Sequence, residues 1–337
     1  MSGTGRDGSG ARPRATPKPA VRPPVGRTGP ATGGWTRPAP GSTYPLGGFF
    51  SGADSSASTR LMSGLVVVLV LAAYMVVVPA INTGVISFGH LLDSSGQDWA
   101  TYSADASAFG NIWGVVAAHL GLASMVLVVW GFYRFFHNRR LEWLWSVSPG
   151  VRWRYAIICL AASAIVMGAV TAYHWVTGPG WAPMPGWGWY ALVIVATTPF
   201  QALAEEVLFR GYMMQALGTM VRNPWFPIVV TAVVFALFHG VQNPWLFSSR
   251  LVFGVLAGIL VWRTGGLEAA VAIHVVNNLC AFGLAILTGT LSQVRVTTSV
   301  GWAQSVSDVV MFAVCALACW GVARGLRVPM RAPEQTR

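Results

Sequence analysis

Charge is what this sequence has least of. Only 10% of its 337 residues are Asp, Glu, Lys or Arg, against about 25% in ordinary soluble domains, which excludes a conventional solvated surface. Lysine is almost missing: Lys18 is the only one, a bias that fits a GC-rich genome and says nothing about mechanism. Cysteine is sparse too. Cys159, Cys280, Cys315 and Cys319 all fall inside apolar runs, where they read as small packing residues rather than disulfide partners. Cys315 and Cys319 share a helix face, but no histidine or acid accompanies them as a metal set would require. Three patterns are also missing: the alternation of a membrane β-barrel, an HExxH motif, and the internal repeat common in transporters.

What is present is apolar. Hydrophobic residues make up 54% of the chain and gather into runs of about 18–25, the length that crosses a hydrocarbon core. The expected fold is an all-α polytopic membrane protein with about eight transmembrane helices. The spans fall roughly at 61–88, 110–136, 153–176, 187–220, 226–241, 246–263, 266–288 and 306–324. Residues 1–58 are rich in Pro, Gly, Ser, Thr and Arg, with almost no large aliphatics. They are expected to be a disordered, solvated cytoplasmic tail without the apolar run of a signal peptide. The membrane domain is expected over 59–326, its motif-bearing core over 187–288, and a short basic tail over 327–337.

The net charge of +11 is a topology signal and not a nucleic-acid footprint. Arg134, Arg139, Arg140, Arg152 and Arg154 flank the second connection, Arg222 and Arg263 lie in the fourth and sixth, and Arg324, Arg327 and Arg331 follow the last span. The first connection carries only acids, Asp93, Asp98 and Asp105, and the third, Gly178–Gly186, has no charge. That asymmetry predicts cytoplasmic N- and C-termini. Trp175, Trp181, Trp187 and Trp189 crowd the opposite end of spans three and four as an interfacial belt.

Few polar groups fall deep in the spans. Glu205, Glu206 and Arg210 lie on the fourth, His239 on the fifth, and His274, Asn277 and Asn278 on the seventh. An ionisable side chain at bilayer depth costs roughly 2.5–3.5 kcal/mol on insertion scales and is read as functional. Adjacent carboxylates sharpen the question, because like charges repel in a dry site. At 1.5 Å per residue, Glu205 and His239 fall about 22 and about 20 Å from the cytoplasmic ends of their helices. His274 and Asn278 fall at about 12 and about 18 Å. Three helices thus present polar groups at comparable depth.

Spacing adds roles. Glu206 and Arg210 are four apart with the acid first, the favourable order for a helical ion pair, and read as structural support. Glu205 is rotated about 100° away and is free to face a cavity. His274 and Asn278 project from one face, with Asn277 turned aside in a structural position. A water held between Glu205 and His239 could be deprotonated, while His274 and Asn278 donate to a developing oxyanion. That describes amide hydrolysis.

Three stretches resemble a known family. Glu205-Glu206-Val-Leu-Phe-Arg210, Phe235-Ala-Leu-Phe-His239 and His274-Val-Val-Asn-Asn278 are similar to the EExxxR, FxxxH and HxxxN motifs of the CAAX-protease and bacteriocin-processing (CPBP, or Abi) intramembrane glutamic endopeptidases. The resemblance covers about Trp187 to Leu287. It implies that Glu205 and His239 activate water, that His274 and Asn278 line the oxyanion site, and that Glu206 with Arg210 supports the first motif. It also implies a membrane-associated or lipidated protein or peptide substrate; the lysine poverty suggests a bacterial source and hence a multi-pass protein of a bacterial plasma membrane, and the missing HExxH favours a mechanism with no cofactor. The residues leave three alternatives open: a catalytic zinc held by Glu205, His239 and His274, a non-catalytic scaffold or immunity protein, and a proton-coupled transporter.

Overall fold

The computed structural model describes Gly3 and residues 57–137, 142–148, 150–178, 180–221 and 223–331. The expected tail, but for Gly3, Ala57 and Ser58, lies outside the described residues, as do Arg139, Arg140 and Arg222 of the arginine pattern and residues 332–337. All regular structure among the described residues is helical: α1 Ala57–Leu92, α2 Trp99–Ser107, α3 Ile112–Ala123, α4 Met125–His137, α5 Glu142–Trp145, α6 Trp153–Thr177, α7 Trp187–Glu206, α8 Met214–Met220, α9 Trp225–Leu237, α10 Pro244–Thr264, α11 Glu268–Leu287, α12 Leu291–Val296 and α13 Trp302–Gly325. A π-helical segment, Val207–Met213, joins α7 to α8.

Among the described residues seven helical runs are long and apolar enough to cross a membrane, and the chain is a multi-pass integral membrane protein. They match seven of the expected spans closely; the second, Ile112–Phe136, is α3 and α4 joined through Ser124. The remaining span is shorter than expected. α9 has 13 residues, about 20 Å at the helical rise, against a hydrocarbon core of about 30 Å. It stops because Gly240 takes a left-handed conformation, with φ +81°, open to a residue without Cβ. The chain then turns and restarts at Asn243, whose side chain caps α10 by accepting from Leu246 N at 3.0 Å, with Pro244 at the first helical position. His239 therefore sits in the turn of an α9–α10 hairpin and not within a helix.

Burial shows which helix is central. Residues 204–219 are buried throughout, whereas α1, α6 and α13 carry rows of exposed large apolar side chains such as Leu65, Val68, Ile157, Ile165, Val310 and Leu317, suited to lipid contact. The central rod, α7 with its π-helical turn and α8, is packed by α1, α3, α4, α5, α9, α10 and α11. Close contact depends on glycine at one crossing: a Cβ on Gly254 of α10 would lie 2.8 Å from the Cβ of Ala232 on α9 and 3.2 Å from Arg210 Nη2.

The ends of the bundle are tied differently. At one end Trp175 stacks on Trp181, with centroids 5.6 Å apart, and Trp181 meets Trp187 edge-on at 5.9 Å, a cluster with the make-up of an interfacial belt. At the other, Arg152 pairs with Glu268 and donates to Thr264 O at 2.7 Å and Pro329 O at 3.2 Å. That clamp joins α6, the α10–α11 turn and the segment after α13.

Candidate active site

The polar groups singled out in the sequence, His239 excepted, meet around the central helix. Glu206 and Arg210 are both fully buried. Arg210 Nη1 donates to Glu206 Oε1 at 2.9 Å, the expected ion pair. The guanidinium also lies 4.4 Å from the Phe235 ring centroid, 5.7 Å from that of Phe253 and 5.8 Å from that of Phe209. Three aromatic faces thus supply partial negative charge where one carboxylate alone would leave the cation poorly compensated. Arg210 Nε and Nη2 and Glu206 Oε2 have no hydrogen-bond partner, so those aromatic faces matter.

His274 of α11 lies between the two acids. Its Nδ1 is 2.8 Å from Glu206 Oε1 and its Nε2 is 3.8 Å from Glu205 Oε2. A carboxylate only accepts, so the Nδ1 contact assigns a proton to that nitrogen and leaves Nε2 facing Glu205. The Phe253 ring is 5.1 Å away and packs edge-on, fixing the ring plane.

Glu205 accepts from Gln201 Nε2, one turn earlier on α7. Gln201 Oε1 in turn accepts from Asn278 Nδ2 at 2.9 Å, and Asn278 Oδ1 accepts from Asn277 Nδ2 at 3.1 Å. A continuous line of side chains thus runs Asn277, Asn278, Gln201, Glu205. Gln201 is the member that sequence reasoning missed. Its signal was available: a polar residue four before Glu205 on an otherwise apolar helix, on the same face. Asn277, set aside as structural, is the terminal donor of this line.

His239 stands slightly apart. Among the described residues it has no ion pair with either carboxylate. Its Nδ1 is 2.8 Å from Phe235 O, and a carbonyl only accepts, so in the neutral ring Nδ1 carries the proton and Nε2 keeps its lone pair. Phe235 links it to the rest: its ring is 4.7 Å from His239 and 5.9 Å from His274. The turn position explains the geometry, since the imidazole caps a terminal carbonyl of α9 that the helix cannot satisfy.

The π-helical turn begins one residue after Glu206 and includes Arg210. Such widened turns recur at functional sites. Nothing in the sequence pattern indicates it.

The alternative zinc set of Glu205, His239 and His274 does not form one cluster. Among the described residues no group of three or more His, Cys, Asp or Glu side chains could hold a metal ion. His274 already donates its Nδ1 proton to Glu206, and His239 approaches through the Phe235 ring rather than through a shared centre.

Comparison with known proteins agrees with the motif spacing. Residues 186–280 match the family described as type II CAAX prenyl endopeptidase, Rce1-like. The motif-bearing core is therefore similar to an Rce1-like domain over these residues, and every side chain of the polar network lies inside the matched stretch. The chain is also 27% identical over 168 residues to the uncharacterized protein YyaK of Bacillus subtilis (strain 168), a match covering 46% of this chain and 56% of that protein's length. The chain thus spans little more than half of that relative. No solved structure matches this chain.

Proposed function

We propose that this protein is an intramembrane endopeptidase of a bacterial plasma membrane, with cytoplasmic termini, hydrolysing a peptide bond in a membrane-associated or lipidated protein or peptide. The observation that carries this reading is the division of labour between the two adjacent acids. Glu206 engages both Arg210 and His274 through Oε1, whereas the only hydrogen bond to Glu205 among the described residues comes from Gln201, and Glu205 keeps a carboxylate oxygen toward His274 Nε2 at 3.8 Å.

In the proposed reaction a water is held between Glu205 and the Nε2 lone pair of His239. Glu205 takes one proton as the water oxygen bonds to the scissile carbonyl carbon. The oxyanion accepts from the second N–H of Asn278, whose first is used by Gln201, and from His274 Nε2 in its protonated form. Collapse breaks the C–N bond, and the proton on Glu205 passes to the leaving amine. No metal is required. Glu206 and Arg210 act by fixing the His274 ring.

The test is cleavage of a labelled peptide library by protein reconstituted in lipid. Wild type should cleave, and Glu205→Gln and His239→Ala should each abolish turnover while leaving the unfolding midpoint within a few degrees. Wild type that binds but never cleaves, or Glu205→Gln that retains activity, refutes the reading.

A further inference from the structure

One half-buried cation is unused by the network described above. Arg250 is the only charged residue of α10 before Arg263 near its C-terminus, and it is half-buried. Its Nη1 donates to Gln242 Oε1 at 2.7 Å. Gln242 in turn donates to Ala236 O near the end of α9, so both side chains are held against the hairpin that carries His239. Gln242 follows His239 by three residues, so its bond to Arg250 places that guanidinium beside the turn that carries His239.

What Arg250 lacks is a counter-ion. Arg152 and Arg210, by contrast, each pair with a carboxylate, Glu268 and Glu206. Among the described residues no carboxylate pairs with Arg250. A guanidinium offers five N–H donors in a planar fork, and Gln242 engages one of its nitrogens. An unneutralised cation inside a membrane helix is costly and marks a function by default. Arg250 lies less than two turns into α10, close behind the α9–α10 turn that carries His239. The remaining fork matches a carboxylate in bidentate geometry.

We propose that Arg250, steadied by Gln242, binds a carboxylate of the peptide substrate close to His239, selecting substrates with an acidic group near the scissile bond. This rests on the endopeptidase reading. The carboxylate is either the free C-terminus or an Asp or Glu side chain, and the test separates the two.

Three peptides of one core sequence are compared in nanodiscs of neutral lipid: a free C-terminal acid, its C-terminal amide, and the amide with one Asp near the end. For wild type, kcat/KM should favour a carboxylate peptide over the plain amide by about tenfold to hundredfold, the worth of a charge-assisted hydrogen bond, and mainly through KM. The ratio should fall toward unity in Arg250→Met and be partly kept in Arg250→Lys. Whichever acidic peptide carries the preference identifies the source. A wild type without preference, or an Arg250→Met with the wild-type ratio, overturns the proposal. Should Arg250→Met not fold, Arg250→Lys decides, an undiminished ratio counting against. If wild type cleaves none of the peptides, the endopeptidase reading falls, and equilibrium binding of the same peptides then reads the subsite alone. Preference dependent on Arg250 supports it; equal binding of acid and amide sinks it.

Discussion

Replacing Arg210 by methionine probes the site's electrostatic logic with little change in volume. In the wild type the guanidinium is fully buried, donates to Glu206 Oε1 at 2.9 Å and lies over Phe235 at 4.4 Å. Methionine fills most of that space, so the cavity contribution is small. What remains is a buried Glu206 with one donor, His274 Nδ1 at 2.8 Å. Removing one partner of a buried pair typically costs about 3–5 kcal/mol, because the other charge is left uncompensated. Arg210→Met should therefore be destabilised by about that amount. The double variant Glu206→Gln with Arg210→Met removes both charges while keeping an amide oxygen for His274 Nδ1, and should return to within about 2 kcal/mol of wild type. Helix content followed through a reversible SDS titration in mixed micelles measures both. A single variant within about 1 kcal/mol of wild type, or a double variant as unstable as the single, would falsify the claim that the pair is held by mutual neutralisation.

Other expectations follow from individual contacts. Gln201→Leu cuts the line between Asn278 and Glu205 and should lower kcat about 10- to 100-fold with little change in KM; a change confined to KM would contradict this role. Gly254→Val should cost about 1–3 kcal/mol by overpacking α9 against α10, whereas Gly84→Ala on α1, with nothing within 4 Å of the added Cβ, should be neutral or slightly stabilising; thermal midpoints compare them. Activity should survive EDTA and 1,10-phenanthroline, and loss reversed by added zinc would overturn the metal-free mechanism. Asp98 caps α2 by accepting from Thr101 N at 3.1 Å and Thr101 Oγ1 at 2.7 Å, and the Thr101 hydroxyl is the main cause holding its carboxyl below the ordinary 3.8. The cap's contribution is complete above 3.8 and lost as pH falls through the lower folded value, so hydrogen exchange of residues 99–107, corrected for intrinsic rate, should rise there in wild type and show no such rise in Asp98→Ala.

The long spans were legible because nothing else explains apolar runs of that length. The elements missed are those whose signal is not length. α2 and α12 have 9 and 6 residues and ordinary composition, and their helicity depends on caps and docking that no periodicity reports. The end of α9 was misplaced by a few residues because the apolar run continues through Phe238, while the deciding residue is Gly240 with its left-handed φ. The π-helical turn was invisible, since it changes hydrogen-bond register without changing which residues are apolar.

The candidate site divides along the same line. Residues that are costly in lipid, Glu205, Glu206, Arg210, His274 and Asn278, could be gathered from depth and spacing, and the structure brings them together. Gln201 and Arg250 were not gathered, for opposite reasons. Gln201 is neutral and cheap enough to pass as packing, yet it is the only link between Glu205 and Asn278 among the hydrogen bonds of the described residues. Arg250 is charged like the acids of the set, but it sits in a helix with no motif. A sequence does not show that a charge lacks its partner; only the arrangement of neighbours does. A missing counter-ion in a membrane protein is therefore a structural signal in its own right, and here it falls beside the histidine proposed to hold the attacking water.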